Sequence, residues 1–251
     1  MANSKFIAIE GPDGAGKTTV SELISDWLND DIKKPTTLVK SPGGTTYANA
    51  IRNIVFAGLT ESYQAEAMGL LTAEVDCFEN VILPSLRAGR HVIGDRWIMS
   101  GRIYQGFMRN RPAKAIDDLI EASLPHSAAK PSLYIILNAS PQTLLDRVAA
   151  QLEVTKEEQL EVAADRKEEA KTQEEYDSAE KLGEEMAQKY EAESAALEGK
   201  LDYYQCLWAA YEKCVAFADG TPCVKFNTDE QTPEEVADKL REILMQSVLS
   251  I

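Results

Sequence analysis

Eight residues near the start of the sequence constrain the fold more than any others. Gly11-Pro12-Asp13-Gly14-Ala15-Gly16-Lys17-Thr18 matches the pattern G-x-x-x-x-G-K-[ST] in full. The preceding Phe6-Ile7-Ala8-Ile9 is apolar without polar alternation, as suits a strand buried on both faces. A helical pattern follows from about Lys17 to Leu28. A strand, a glycine-rich turn and a helix in that order make a phosphate-binding loop. Glycines let backbone N–H groups curl around phosphate oxygens where a Cβ would clash, and the helix N-terminus adds partial positive charge. On this reading Gly11, Gly14, Ala15, Gly16, Lys17, Thr18 and Thr19 hold the phosphates of ATP. Lys17 reaches the β- and γ-phosphates, and the Thr18 hydroxyl is placed for Mg2+.

The rest of the chain alternates apolar strands with helical patterns. Strands are expected at Thr37–Val39, His91–Gly94, Ser132–Leu137 and about Cys223–Phe226. Ser140-Pro141 and Thr232-Pro233-Glu234-Glu235 carry helix N-cap chemistry. Strand–helix alternation implies an α/β fold with a parallel sheet flanked by helices and right-handed crossovers. Residues 151–200 differ in character. They hold 16 Asp and Glu against 7 Lys and Arg, a net −9 of the chain's −15. Leu182, Met186, Tyr190, Leu197 and Leu201 recur there at near-helical spacing. We read this segment as an acidic helical insertion of one or two long helices within a single domain of residues 1–251. A solvated charged arm is the alternative.

Composition narrows the partners. The formal charge of −15 repels a nucleic-acid backbone over most of the surface, so nucleic acid is not an expected partner. The four cysteines show no metal-ligand spacing and fit free thiols in a reducing compartment. Met1–Lys5 lacks the apolar run of a secretory leader, and no apolar run approaches the roughly 20 residues of a membrane span. A cytoplasmic protein is expected.

Two further features carry chemistry. Asp13 sits inside the phosphate-binding loop, where an acid is electrostatically costly unless it faces something else, such as a sugar hydroxyl. A surface turn aspartate is the alternative. Asp95-Arg96 closes a buried strand at the edge where parallel sheets form their ligand crevice. The acid there suits Mg2+ or its waters and the arginine a phosphate, or the two form a structural ion pair.

With these residues in place, the sequence resembles the thymidylate kinase family of P-loop nucleoside monophosphate kinases. Glu10–Thr19 resembles the family's phosphate loop. Ser41-Pro42-Gly43-Gly44-Thr45 with Ile51-Arg52 resembles its second motif. Asp95-Arg96-Trp97 with Ser100 and Tyr104-Gln105-Gly106 resembles its third. Pro131–Leu137, Leu145–Val148 and Asn227 with Glu234-Glu235-Val236 resemble its later elements, so the likeness spans nearly everything except about 151–200. It implies a P-loop NTPase fold with an enlarged lid, and ATP-dependent, Mg2+-assisted transfer to a deoxynucleoside monophosphate, dTMP first among them. It also implies a homodimer. By the same resemblance Asp13 bonds the acceptor's 3′-hydroxyl, Arg96 binds the acceptor phosphate and Asp95 acts with Mg2+. Pro42 and Arg52 shape the acceptor site, Ser100 and Gln105 belong to it, and Tyr104 favours deoxyribose.

The sequence also departs from the family. Counted back from Pro84, the arginine that reads thymine falls at Glu74 and the phenylalanine that stacks on the base falls at Leu70. Arg102 lies in the turn between Ser100 and Tyr104, where it is expected beside the acceptor, pairing or exchanging roles with Glu74. A carboxylate accepts bonds from amino or hydroxyl donors, which leaves a modified pyrimidine such as 5-hydroxymethyl-dUMP as an alternative acceptor. The usual lid arginine positions read Ala149 and Gln151, and Arg166 in Asp165-Arg166-Lys167-Glu168 is the candidate replacement. The rival reading is a P-loop switch or binding protein, for which a second nucleotide pocket has no use.

Overall fold

The five apolar segments become five parallel strands: β1 (Phe6–Glu10), β2 (Thr36–Lys40), β3 (His91–Asp95), β4 (Leu133–Asn138) and β5 (Cys223–Asn227). The computed structural model describes residues 4–247. Met1–Asn3, part of the segment read for a leader, lie outside the described residues. The strand order is β2-β3-β1-β4-β5. Every residue of β1, β3 and β4 is buried, which explains their unbroken apolar runs, whereas β2 and β5 expose part of one face at the sheet edges. The register pairs Ile9 with Asp95 and Glu10 with Ile136. Glu10 and Asp95 therefore end their strands on the same edge, the edge that carries the site.

The helices are α1 (Lys17–Asp26), α2 (Thr46–Phe56), α3 (Tyr63–Cys77), α4 (Leu83–Arg87), α5 (Ile98–Gly101), α6 (Ala113–Ser123), α7 (Pro141–Glu169), α8 (Gln173–Leu197), α9 (Leu201–Glu212) and α10 (Pro233–Ser247). Helix starts follow the local chemistry. The Ser140 hydroxyl accepts from Thr143 N with Pro141 in the first turn. Thr232 and Glu235 bond reciprocally ahead of α10, as a capping box requires. A π-helical turn, Arg102–Gly106, follows α5 beside the site.

The core lies between the sheet and the helices around α3, α5 and α9. Trp97 is fully buried there, edge-on to Phe6 at 5.3 Å, and its indole N–H donates to Ala129 O at 2.7 Å. Burying a tryptophan with its one donor satisfied is strongly stabilising, and this one follows Arg96 directly in the chain.

The chain divides into two compact units. One runs to Ala139 and resumes at Cys206; the other is Ser140–Gln205. The second unit is wider than the expected 151–200, because α7 starts at its Ser140 cap and continues unbroken through 151. Within it α7 and α8 pack together, with Lys167 Nζ 2.8 Å from Glu180 Oε1 and Ala163, Ala179 and Tyr190 buried. Thr172 and Glu175 form a capping box at the start of α8. The acidic segment is thus helical, with most of its charges exposed and, of its apolar stripe, Tyr190 buried. No helix among the described residues is long and apolar enough to cross a membrane.

Candidate active site

The turn after β1 is shaped by glycines. Gly11 has φ +153°, and a Cβ there would meet Leu137 O at 2.1 Å, so only glycine lets the turn pass the end of β4 this closely. Gly16 is the left-handed N-cap of α1 (φ 87°) and brings no side-chain cap, which leaves the first N–H groups of α1 for a ligand. Lys17 is buried, and its Nζ donates to Pro12 O at 2.7 Å. Burial first, and Arg96 second, pull its ammonium down to about 7 against the opposing carboxylates of Asp13, Asp95 and Glu10. An ammonium held in this way gains most from a polyphosphate, which supplies the missing negative charge.

The Thr18 hydroxyl donates to Asp95 Oδ2 at 2.6 Å, with Asp95 buried at the end of β3 and Lys40 Nζ 3.8 Å from the same oxygen. A hydroxyl and a carboxylate beside a phosphate cradle are hard oxygen donors, and they fit Mg2+ held partly by substrate phosphates.

Arg96 is the centre of the site. Its backbone is left-handed (φ 71°), a strained conformation for a long side chain, and its N–H donates to Ile9 O at 2.9 Å. The guanidinium holds this geometry through bonds to Gly11 O (2.9 Å), Ser100 Oγ (3.0 Å), Tyr211 Oη (3.2 Å) and Asp13 Oδ1 (2.5 Å), and lies over the Tyr104 ring. Burial lowers its pKa, but the surrounding Tyr104, Tyr211, Asp13 and Glu10 prevail and leave it raised well above the ordinary value. Glu10 organises the same loop: its carboxylate accepts from Trp97 N (2.8 Å), Ser100 N (3.2 Å), Ser100 Oγ (2.6 Å) and Tyr211 Oη (3.4 Å). Burial raises the Asp13 pKa, but Arg96, then Lys17 and Arg52, outweigh it and hold the carboxyl below its usual value.

A cavity of about 250 Å³ opens beside Arg96. Asp13, Pro42, Arg52, Leu70, Glu74, Arg96, Ser100, Tyr104 and Gln105 all line it, so residues from distant motifs converge on one wall system. Arg52 Nη1 donates to Pro42 O at 3.1 Å, and its guanidinium lies 4.6 Å from the Phe56 ring centroid. The expectation for Arg102 is overturned. It is not among the lining residues: its Nε bonds Asp117 Oδ1 at 2.7 Å and its Nη1 bonds Phe217 O at 3.0 Å. Nor does it ion-pair with Glu74, because α6 and the segment after α9 offer an acid and a carbonyl that satisfy its fork. Arg166 lies in the last turn of α7, within the second unit.

The sequence and the fold that carry this site have counterparts among known proteins. The sequence model of the thymidylate kinase family, described as "Thymidylate kinase", matches residues 9–196. The chain belongs to the thymidylate kinase family. It is accordingly a nucleoside monophosphate kinase, a phosphotransferase. Thymidylate kinase of Haemophilus ducreyi is 36% identical over 157 residues, 62% of this chain and 72% of that protein. The crystal structure of thymidylate kinase from Ehrlichia chaffeensis aligns over 97% of this chain and 99% of its own with a TM-score of 0.65; at 20% identity this likeness speaks for the fold. The five-stranded parallel sheet flanked by helices is thus the family's P-loop fold.

Sequence reasoning missed Tyr211. It is fully buried on α9, and its hydroxyl touches Arg96, Ser100 and Glu10. Neither spacing nor motif marks it, since its partners lie more than 100 residues away.

Proposed function

We propose that this thymidylate kinase family member transfers the terminal phosphate of ATP to dTMP, giving dTDP and ADP. The observation that carries the reading is the guanidinium of Arg96, which bonds Gly11 O in the phosphate loop and also lines the acceptor cavity. A group shared by both pockets can hold an acceptor phosphate in line with a donor phosphate, and phosphoryl transfer depends mainly on that alignment and on positive charge. The loop N–H groups and Lys17 bind the donor phosphates. Thr18 and Asp95 would hold Mg2+, which when bound neutralises charge on the β- and γ-phosphates. Arg52 and Arg96 bind the acceptor phosphate, Asp13 the 3′-hydroxyl, and Tyr104 stands against the sugar. The acceptor phosphate is already an anion, so no general base is needed. Arg166 is the proposed lid arginine for the transferring group, and a cytoplasmic homodimer is the proposed working form.

A coupled ADP-release assay with Mg·ATP tests this reading against dTMP, dUMP, 5-hydroxymethyl-dUMP, dCMP, dGMP, dAMP and ribo-TMP. Preferred turnover of dTMP is expected. ATP binding with turnover of no monophosphate would overturn the reading.

A further inference from the structure

A short reversal of the chain between α9 and β5 brings two cysteines together. Cys214 begins the 3-10 turn Cys214–Phe217 that follows α9, and Cys223 is the first residue of β5. Between them Asp219 and Gly220 take left-handed backbone (φ 50° and 77°), and Thr221 N donates to Ala218 O at 2.9 Å, so the chain doubles back. One rung of the resulting contact is polar. Lys225 Nζ donates to Glu212 O at 2.9 Å and to Glu212 Oε2 at 3.1 Å. Cys223 lies two residues before Lys225, on the same face of β5, and Cys214 lies two residues beyond Glu212. The neighbouring rung is the two sulfurs, which hydrogen-bond each other. Cys214 is fully buried, and Cys223, packed against the same core, is half-buried. Phosphoryl transfer has no use for either thiol.

We propose that Cys214 and Cys223 are a redox modification site, at which a hydroperoxide closes a disulfide that draws the end of α9 towards β5 and, through Tyr211, weakens the hold of Arg96 on the acceptor. The coupling to Arg96 rests on the reading of the chain as a dTMP kinase; formation of the disulfide does not.

Cys223 is the sulfur that peroxide reaches. Its thiolate attacks one peroxide oxygen, the O–O bond breaks, and the sulfur becomes a sulfenic acid while the other oxygen leaves as water. The Cys214 thiolate then attacks the sulfenic sulfur, the S–S bond forms, and the departing hydroxide takes up the remaining proton as a second water. Two thiols and one hydrogen peroxide give one disulfide and two waters; the sulfurs are oxidised and the peroxide is reduced. The pair is arranged for this order. The Cys223 S–H has two acceptors in reach, the Cys214 sulfur and Thr221 O at 3.5 Å. The bond from Cys223 first, with help from Lys225, holds the Cys214 thiol below its ordinary value against burial and Glu212. The same bond raises Cys223. Oxidation of Cys223 is therefore the slow step, and the ready Cys214 thiolate captures the sulfenic acid before a second oxidation. Cys77 does not compete, because burial pushes its thiol up to about 12.

A disulfide holds its sulfurs about 2 Å apart, far closer than two hydrogen-bonded thiols. Cys214 follows Tyr211 by three residues, under one helical turn. The Tyr211 ring is fully buried, so it moves with its backbone. Its hydroxyl bonds Arg96 Nη1 at 3.2 Å and also touches Ser100 and Glu10. A pull on the end of α9 thus reaches the guanidinium that binds the acceptor.

The test uses the C206S protein, which lacks the exposed fourth thiol and keeps the pair. It is oxidised with hydrogen peroxide and then treated with dithiothreitol. Oxidation should remove two free thiols per chain and give a peptide joining Cys214 to Cys223, about 2 Da lighter than the reduced pair. Over the same course kcat/KM for dTMP should fall by about tenfold, with KM for ATP unchanged, and dithiothreitol should restore both thiols and rate. Adding C223S or C223A to C206S should abolish the link and the loss of rate. A peptide map without the Cys214–Cys223 link, or with sulfinic acid on Cys223 in its place, would overturn the proposal. So would a mapped disulfide that leaves kcat/KM for dTMP at its reduced value, or an equal loss of rate in the C223S and C223A proteins. If the reduced protein turns over no monophosphate, the kinase reading fails and the coupling to Arg96 fails with it, while the peptide map still decides the disulfide.

Discussion

Arg96 Nη2 lies 2.5 Å from Asp13 Oδ1, although the two residues are 83 apart in sequence. The loop crowds the Asp13 carboxylate and partly desolvates it, yet its side chain keeps 65% of its surface exposed, so solvent screens the ion pair and it contributes little stability. Its effect is to aim the guanidinium, which already bonds Gly11 O, at the mouth of the acceptor cavity. Arg96→Lys keeps the charge and loses the fork that reaches Gly11, Ser100, Tyr211 and Asp13 together. We expect kcat/KM for the acceptor to fall by about 100-fold or more, with ATP affinity nearly unchanged. Steady-state kinetics with ATP and dTMP varied separately check this.

The 2.6 Å bond between Thr18 Oγ1 and Asp95 Oδ2 marks where Mg2+ would be held. Thr18→Val and Asp95→Asn should each raise the Mg2+ concentration needed for half-maximal rate by about 10–100-fold. Initial rates across a Mg2+ titration at fixed ATP decide it. A lower plateau with an unmoved midpoint would contradict this assignment.

Tyr211→Phe keeps the buried ring and deletes one hydroxyl. The loss of its contacts to Arg96, Ser100 and Glu10 should destabilise the fold by about 1 kcal/mol and lower kcat/KM several-fold through a looser Arg96. Thermal unfolding and acceptor kinetics on the same preparation separate the two effects.

Arg102→Ala removes bonds to Asp117 and the Phe217 carbonyl. We expect a stability loss of roughly 1–3 kcal/mol and no change in the ranking of acceptor bases. A changed ranking in the nucleotide panel would return Arg102 to the substrate site.

Glu74 should also show in stability. Burial raises its carboxyl from the ordinary 4.5 to about 8. The folded protein therefore keeps a proton that the unfolded chain releases above its own lower value. This contribution is fully present below about 4.5 and is lost as pH rises towards about 8. E74Q does not titrate, so its stability relative to wild type should rise across that window, by on the order of a few kcal/mol at most. Urea unfolding of both proteins at several pH values measures the difference.

The phosphate loop, the strand ends and the helix caps follow from the linear order of residues alone. Each depends on residues close in the chain: Gly11 and Gly16 permit backbone that side chains forbid, and Ser140 and Thr232 bond N–H groups three residues on. The motifs also singled out Asp13, Arg52, Arg96 and Tyr104, which line one cavity, because each sits in a local pattern. The tertiary structure alone decided which of them share a wall. Thr18 meets Asp95 only because β1 and β3 are neighbours in register, and Tyr211 reaches Arg96 only because α9 packs over the same edge. Arg102 lies between Ser100 and Tyr104 in sequence yet leaves the site, because Asp117 and the Phe217 carbonyl offer its fork complementary acceptors. The upward shift of the Glu74 carboxyl belongs to the same class, since burial and the nearby charge of Glu10 are properties of the packed molecule and leave no mark in a linear pattern.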